Sequence, residues 1–287
     1  MKNKLYDLII VFGCGVGQVM FQANAFSGLL MLLGIFLGGW QMLLLALGGN
    51  MASMLTAYLL GFNRDEIKKG LYGFNGTLVG IAVGVFMTLT PLTIGLMVLA
   101  SSFSTGIVWL FKRQNLLPLF TAPFILSVWL LLGVCHCWMP QYLLQSASVA
   151  LTGNEVDYLQ SLGAGIGQVM FQGNSLSGLC FLVAILFHSR IGAFYAIVGA
   201  LLPVLLSLLI GVDAPTINMG LVGYNGVLCA MALGGKNLAS LGWAIGAVVL
   251  SVLLQLVGME WGIPTLTAPF VMSVWIMIVV KKMLHLN

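Results

Sequence analysis

The chain contains 287 residues, of which 60% are hydrophobic and only 6% are charged, and its formal net charge is +4. A soluble domain carries about 25% charged residues, so this composition excludes a water-facing surface over most of the chain. The hydrophobic stretches are about 15–22 residues long, close to the length that a helix needs to cross roughly 30 Å of hydrocarbon. The short alternating segments of a membrane β-barrel do not occur in the sequence. We therefore predict an all-α polytopic membrane protein.

Polar breaks separate six predicted segments in the first half of the chain, at residues 8–22, 28–47, 49–62, 71–88, 91–111 and 116–135. The second half contains six more, at residues 156–172, 176–187, 191–210, 218–234, 238–257 and 261–280. The first segment follows two lysines, as the apolar core of a signal sequence does, but no convincing small-residue cleavage site follows it. We expect it to be retained as part of the folded protein.

Three phrases occur twice in the same order. The pairs are GQVMFQANAFSGL (17–29) with GQVMFQGNSLSGL (167–179), LYGFNGTLVG (71–80) with LVGYNGVLCA (221–230), and LPLFTAPFILSVW (117–129) with IPTLTAPFVMSVW (263–275). The first two pairs are offset by 150 residues and the third by 146. Such self-similarity indicates an internal duplication. We predict a first repeat at 1–140, a linker at 141–158 and a second repeat at 159–287.

The basic residues predict how the repeats cross the membrane. If segments 8–22 and 156–172 each enter the membrane and return to the same side, five crossings remain in each repeat. All eleven Lys and Arg residues then lie on the side of the N-terminus, as the positive-inside rule requires of the cytoplasmic face; they are Lys2, Lys4, Arg64, Lys68, Lys69, Lys112, Arg113, Arg190, Lys236, Lys281 and Lys282. Glu155, Asp157, Asp213 and Glu260 lie on the opposite side.

Five crossings is an odd number, so the second repeat is predicted to be inverted relative to the first. Both termini are then cytoplasmic, in a multi-pass protein of the cell (inner) membrane. Inverted repeats with interrupted helices typically place a solute site near the middle of the membrane. A half-helix that ends within the membrane has carbonyls without intrahelical partners, and such backbone is tolerated only inside protein or beside a polar path.

The polar residues of the repeated phrases predict the chemistry of that path. No charged residue falls within a predicted crossing, whereas ion or proton coupling usually requires one. Idle polar groups are costly in apolar surroundings, so the repeated glutamines and threonines are candidates to line the path. Prolines 123 and 269 are expected to break helices and free further carbonyls. Acceptors between flat aromatic side chains suit a small, planar, neutral molecule rich in N–H groups.

Other repeated residues have a structural interpretation. Asn24, Asn174, Asn75 and Asn225 are expected to cap helices or brace backbone, and Gly28, Gly178, Gly76 and Gly226 to allow close helix approach. Any one repeated aromatic residue is equally compatible with core packing. The five cysteines fit free thiols, and the CHC sequence at 135–137 has no second ligand cluster that would complete a tetrahedral metal site. We expect neither a metal nor a cofactor.

The doubled GQVMFQxNxxSGL, G(F/Y)NG and TAPF phrases resemble those of the urea transporters over nearly the whole chain. The resemblance implies a passive, channel-like urea pore in each subunit of a homotrimer embedded in lipid. By matching position it also implies the site residues: an aromatic slot of Phe21, Phe74 and Leu78, a second slot of Phe171, Tyr224 and Leu228, pore-helix ends that contribute Gln18, Val19, Gln168 and Val169, and a middle lined by Thr121 and Thr267.

Three other functions remain to be weighed against urea transport. A channel for water, ammonia or other small neutral amides is the first, but the sequence has neither an NPA pair nor a histidine pair that can be placed in mid-membrane. A membrane enzyme would need a base beside Ser27 or Ser177, and no histidine lies at that depth, so we expect no enzymatic activity. An ion-coupled transporter would need an ionisable group in the path. Nucleic acid is not an expected partner.

Overall fold

The computed structural model describes residues 2–111, 117–144 and 155–284, with side chains described from residue 9 onward. Lys112, Arg113, Asn154 and His285, together with the side chains of Lys2 and Lys4, lie outside the described part. The chain divides into two compact units, Met1–Ala150 and Leu151–Asn287. Each unit contains seven of the α-helices found in the described residues, which confirms the all-α prediction.

The first unit contains α1 (Lys2–Gly17), α2 (Ala25–Gly38), α3 (Trp40–Leu59), α4 (Arg64–Lys68), α5 (Gly73–Phe86), α6 (Pro91–Phe111) and α7 (Ala122–Trp138). The second contains α8 (Tyr158–Gly167), α9 (Ser175–His188), α10 (Arg190–Ile210), α11 (Ala214–Asn218), α12 (Tyr224–Leu233), α13 (Leu238–Glu260) and α14 (Ala268–Met283). Single turns of 3₁₀-helix lie at Gln18–Met20, Pro140–Tyr142 and Gln168–Met170. The α-helices and the 3₁₀ turn after the first of them therefore follow the same order in both units, and the turn at Pro140–Tyr142 occurs in the first unit alone among the described residues.

Helix lengths and composition confirm a polytopic membrane protein. Four helices, α3, α6, α10 and α13, are long and apolar enough to cross a membrane. Two bent helix pairs are also apolar enough when each is taken together, Ile9–Met20 with Ala25–Gly38 at 75° and Tyr158–Met170 with Ser175–His188 at 73°. The bends lie at the two copies of the GQVMFQ phrase, as expected for re-entrant segments. The count of five crossings per repeat stays a prediction, because α5 and α12, of 14 and 10 residues, are only about 21 and 15 Å long.

The predicted boundary between segments 28–47 and 49–62 is wrong. The chain bends instead at Gly39, whose φ of +154° favours glycine, and α3 runs without interruption through Gly48 and Gly49. These glycines do not end the helix because Gly49 faces α5, where an added Cβ would lie 2.0 Å from the carbonyl oxygen of Gly76. The predicted second-repeat segments 176–187 and 191–210 agree with α9 and α10.

Small residues allow the helices of each unit to touch backbone to backbone. A Cβ on Gly28 would lie 1.7 Å from the carbonyl oxygen of Gly13, so α1 and α2 cross in direct contact. A Cβ on its counterpart Gly178 would lie 1.8 Å from the carbonyl oxygen of Gly163. Close crossings of this type are characteristic of helices packed within membranes. They fix the end of α1 against α2, and the end of α8 against α9, where the candidate site residues lie.

Candidate functional site

The helix α1 ends in a strained turn that places an aromatic side chain at its tip. Phe21 has a φ of +61°; its N–H donates to the Gln18 carbonyl (3.1 Å), and the Gln22 N–H donates to the Gly17 carbonyl (2.9 Å). This pair of bonds is the Schellman arrangement, in which the left-handed position is usually a glycine. An L-residue in that conformation costs roughly 1–2 kcal/mol, so packing must hold the phenylalanine there.

The second unit repeats this turn at the end of α8. Phe171 has a φ of +59°, and the bonds from Phe171 to Gln168 and from Gln172 to Gly167 both measure 3.0 Å. The glutamine and the phenylalanine therefore belong to one local turn in both units. Backbone strain that persists in two copies is the kind of outlier that accompanies functional sites.

One main-chain carbonyl at each helix tip stays available as an acceptor. The Met20 carbonyl accepts a bond from Gln22 Nε2 (2.6 Å), and the Met170 carbonyl accepts one from Gln172 Nε2 (2.8 Å). The carbonyls of residues 17, 18, 167 and 168 are occupied by the turn itself. Among the described residues no hydrogen bond uses the carbonyls of Val19 and Val169, whose side chains are buried. The Val19 and Val169 carbonyls are therefore the candidate backbone acceptors of the two helix tips.

The glutamines that precede these valines are held by the loops after α4 and α11. Gln18 Nε2 donates to the Lys69 carbonyl (3.3 Å), and Gln168 Nε2 donates to the Met219 carbonyl (3.0 Å). These bonds use the amide nitrogens and leave each amide oxygen Oε1 as a candidate acceptor. Both glutamine side chains are half-buried. Each helix tip thus combines a side-chain oxygen with a backbone oxygen.

Glycines fix the loops that hold the glutamines. Gly70 and Gly220 have φ values of +74° and +73°, a conformation that glycine adopts without steric cost. A Cβ on Gly70 would lie 2.2 Å from the Gly15 nitrogen, and one on Gly220 would lie 2.3 Å from the Ala164 carbonyl carbon. The loops are therefore pressed directly against α1 and α8.

The second aromatic position of each unit lies at the start of α5 or α12. Phe74 and Tyr224 are half-buried, and one turn later Leu78 and Leu228 are fully buried. The neighbouring asparagines brace the backbone, as expected. Asn75 Oδ1 accepts the Phe124 N–H (3.2 Å) and Asn225 Oδ1 accepts the Phe270 N–H (3.1 Å). These bonds tie α5 to α7 and α12 to α14.

The prediction that the prolines of TAPF break helices is wrong. Helices α7 and α14 begin at Ala122 and Ala268, and the prolines lie in their first turns. Proline is accepted there because its missing N–H would have no intrahelical partner. Thr121 and Thr267 are the N-cap residues of these helices and are both 3% exposed. Neither side chain makes a capping hydrogen bond.

The actual interruption lies one residue before each threonine. Phe120 and Leu266 have φ values of +46° and +51°. They and the phenylalanines of the helix tips are the non-glycine residues with positive φ in the described chain. The Phe120 and Phe21 rings meet edge to face with centroids 6.1 Å apart, so the tip of α1 and the start of α7 are adjacent. Sequence analysis missed Phe120 and Leu266 because the two residues differ, although the residues around them match.

The predicted residues of each unit lie in the turn after α1 or α8, near the start of α5 or α12, and just before α7 or α14. We define the first half-site as Gln18, Val19, Phe21, Phe74, Leu78 and Thr121, and the second half-site as Gln168, Val169, Phe171, Tyr224, Leu228 and Thr267. None of these residues is ionisable near neutral pH. Within the described ranges no group of three or more His, Cys, Asp or Glu residues is placed to hold a metal ion.

The two half-sites differ in the side chains that surround them. The Tyr224 hydroxyl donates to the Leu266 carbonyl (2.8 Å), and Thr265 Oγ1 donates to Gln255 Oε1 (2.7 Å). Phe74 and Leu119 occupy the corresponding positions of the first unit, at offsets of 150 and 146, and are apolar. Sequence analysis missed Gln255 because a single glutamine inside an apolar segment has no repeated counterpart.

Comparison with known proteins places these features in a family. The family model "UT: Urea transporter" matches residues 10–282. The chain is 33% identical to urea transporter 1 of Rattus norvegicus over 241 residues and 32% identical to that of Mus musculus, in each case covering 78% of this chain and 62% of the relative. It is 29% identical to urea transporter 1 of Ovis aries over 283 residues, which cover 90% of this chain and 73% of the relative. The chain therefore spans less than two thirds of the rodent proteins.

Proposed function

We propose that this chain, which belongs to the urea transporter family, is a passive, channel-like pathway for urea across the membrane. One observation carries the proposal: the same half-site, a helix tip with two acceptor oxygens beside a strained phenylalanine, occurs in both units. A geometry that costs backbone strain in two copies is retained for a purpose common to both copies. Urea transport provides that purpose.

The chemistry of the half-sites matches the chemistry of urea. Urea is planar and carries four N–H donors, which lose their water when the molecule enters an apolar path. An unpaired buried polar group costs about 1–3 kcal/mol, so the path must offer acceptors in place of water. The Val19 carbonyl and the Gln18 amide oxygen are such acceptors, and Val169 and Gln168 provide the second pair. The aromatic rings of Phe21 and Phe171 supply flat apolar surfaces that exclude non-planar solutes.

The composition of the half-sites supports passive transport. A coupled transporter normally has an ionisable residue in its path, because the coupling ion or proton needs a charged partner. The residues of both half-sites are neutral, and Lys69 contributes only its backbone carbonyl to the first. We therefore propose that urea moves down its own gradient. We propose no enzymatic role for the chain.

The membrane arrangement is part of the proposal. We propose two inverted repeats, at 1–140 and 159–287 with a linker at 141–158, each with five crossings and one re-entrant helix. Both termini are cytoplasmic and the protein lies in the inner membrane. The supporting observation is the one-sided distribution of the basic residues under this arrangement. Single cysteines near Asp213 should react with an impermeant reagent from outside, whereas cysteines near Lys69 and Lys236 should not. Strong outside labelling near Lys69 would refute the arrangement.

We also propose a homotrimer with one pathway in each subunit, surrounded by lipid. The support is the family membership together with the large apolar side chains that α2, α3 and α10 expose, such as Leu44 (57%), Leu55 (55%) and Leu209 (85%). A water-facing protein rarely exposes such residues in contiguous patches. Mass measurement of the purified protein in detergent should give three copies, and a mass of one copy would contradict this.

The proposed function is tested by comparing solutes in proteoliposomes. Stopped-flow measurements of urea, water and ammonia permeability should show a large increase over empty liposomes for urea and a smaller one for the other two. The alternative function is a channel for water, ammonia or other small neutral amides, with urea as a secondary solute. A greater increase for one of these solutes than for urea would favour that alternative. Gly133→Ala is a suitable control for any variant made at the half-sites, because an added Cβ meets no atom within 4 Å.

A further inference from the structure

The second unit contains a buried polar network centred on Gln255 of α13. Gln255 is 3% exposed within an otherwise apolar stretch of helix. Its Nε2 donates to the Leu221 carbonyl (3.0 Å), and its Oε1 accepts bonds from Thr265 Oγ1 (2.7 Å) and Asn225 Nδ2 (3.1 Å). Both ends of the amide are therefore paired. The partners belong to three places: the loop before α12, the first turn of α12, and the loop before α14.

This network holds the left-handed turn at Leu266. The Leu266 carbonyl accepts bonds from the Tyr224 hydroxyl (2.8 Å) and from Asn225 Nδ2 (3.3 Å). In a continuous helix that carbonyl would accept the Phe270 N–H, which instead donates to Asn225 Oδ1 (3.1 Å). The two donors replace the lost backbone bond. Thr267, which follows Leu266, is positioned by the same contacts.

The network also tethers the aromatic ring of the second half-site. The Tyr224 hydroxyl lies 3.0 Å from Thr265 Oγ1 and 3.3 Å from Gln255 Oε1, in addition to its bond to Leu266. The ring is therefore fixed at both ends, by its Cβ on α12 and by its hydroxyl on the loop before α14. A tilt of the ring breaks these polar contacts inside an apolar region, where unpaired polar groups are costly.

No such tether is found among the described residues of the first unit. Five buried positions of α6 match five buried positions of α13 at an offset of 147, namely 97, 100, 101, 104 and 105 with 244, 247, 248, 251 and 252. The same offset pairs Val108 with Gln255. Phe74 and Leu119 take the places of Tyr224 and Thr265. The amide nitrogen Nδ2 of Asn75, which corresponds to the tethered Asn225, is buried without a hydrogen-bond partner. Phe74 is therefore held by packing alone.

We propose that Gln255 is a positioning residue that makes the second half-site the stricter of the two in selecting small planar solutes. This inference rests on the proposed function, since it assumes that urea passes Tyr224. A solute wider than urea requires the ring to move. Movement of Phe74 breaks no hydrogen bond, whereas movement of Tyr224 disturbs the contacts that Gln255 organises. Discrimination against substituted ureas is accordingly concentrated in the second half-site.

The test measures the ratio of N-methylurea to urea permeability in proteoliposomes. Three variants remove the tether in different ways: Gln255→Leu, Tyr224→Phe, and the triple variant Tyr224→Phe, Thr265→Leu, Gln255→Val. The triple variant introduces the side chains that occupy the corresponding positions of the first unit, so it protects the test against loss of folding in the single variants. All three should raise the permeability ratio several-fold, and the triple variant should raise it most.

A matched control separates positioning from packing. Ser251→Ala removes another buried polar side chain of α13, whose hydroxyl donates to the Val248 carbonyl of the same helix (2.8 Å). It should leave the ratio unchanged. A purely structural role of Gln255 would change both permeabilities together or lower the yield of folded protein, without moving the ratio. An unchanged ratio in folded, urea-permeable Tyr224→Phe and triple variants overturns the inference. Absence of urea flux in the wild type would instead overturn the proposed function.

Discussion

The two units of this protein share a backbone but stabilise it with different side chains. Both have a left-handed phenylalanine at the helix tip, a left-handed glycine in the adjacent loop, and a left-handed residue before the TAPF threonine. The first unit adds a buried bond from Asn50 Nδ2 to Thr77 Oγ1 (2.8 Å), which ties α3 to α5. The second unit has Ala200 and Val227 at those positions, and places its polar network on α13 instead.

The difference separates what the half-site requires from what merely supports it. The backbone geometry recurs because the acceptor oxygens and the rings depend on it directly. The polar support changes helix between the units, because any set of paired groups that fixes α5 or α12 serves the same end. Mutations in the shared backbone should therefore act alike in the two units, and mutations in the support should not.

The largest effect is expected at the shared helix crossings. Gly28→Ala and Gly178→Ala would each bring a Cβ within 1.8 Å of a backbone oxygen of the neighbouring helix. Neither α1 nor α8 can yield without moving its tip, so we expect the cost to exceed the 1–3 kcal/mol or so of ordinary overpacking. The yield of monodisperse protein in detergent should fall severely for both. Gly242→Ala, which meets no atom within 4 Å, is the control, and tolerance of only one of the two alanines would contradict a shared backbone.

A smaller and unequal effect is expected at the bracing asparagines. Asn225→Leu leaves the Phe270 N–H without its partner and removes bonds to Gln255 and Leu266, whereas Asn75→Leu affects only the Phe124 N–H. Each unsatisfied buried group costs about 1–3 kcal/mol. Thermal unfolding in detergent should therefore show a clearly larger loss of stability for Asn225→Leu. Equal losses would mean that the network adds no stability to the second unit.

These particular residues also show what the sequence could and could not predict. The repeated phrases predicted the helix tips, the glycine crossings and the bracing asparagines, because each depends on local sequence that occurs twice. The break at Gly39 was missed because the sequence GGN at 48–50 has the composition of a loop, and only contact with α5 keeps it helical. Gln255 and Thr265 were missed because their partners are distant in the sequence. Gln255 bonds to residues 30 and 34 positions away, and Thr265 bonds to Gln255 across 10 positions. Tertiary structure alone creates these pairings.

The threonines should contribute equally in the two units. Thr121 and Thr267 have the same burial and the same position before an Ala-Pro step. Replacement of both by Val keeps their shape but removes the hydroxyls. If one hydrogen bond, about 1.4 kcal/mol, is lost at the barrier, urea flux falls about tenfold. Each single variant should give a similar part of the loss in stopped-flow measurements. Unchanged urea flux through the well-folded double valine variant would show that the hydroxyls only support the turns.

The smallest effect is expected at the aromatic tips, where it concerns selectivity rather than stability. The Phe21 ring has an edge-to-face partner in Phe120. In the second unit Leu266 stands at the position that corresponds to Phe120. Phe171→Ala should admit bulkier or non-planar solutes, measured as the permeability of dimethylurea relative to urea. Leu209→Ala, at an exposed apolar position, is the control. Wild-type exclusion of dimethylurea by Phe171→Ala would reduce that phenylalanine to a packing role.

The central claim, that the chain provides a passive path for urea, is tested most directly by the steady-state distribution of labelled urea across proteoliposomes. Proton and sodium gradients are imposed in separate samples, and the internal and external urea concentrations are compared after equilibration. Because the half-sites hold no group that is ionisable near neutral pH, we predict rapid equilibration to equal concentrations with either gradient or with none. Accumulation of urea above the external concentration in response to a gradient would contradict the account.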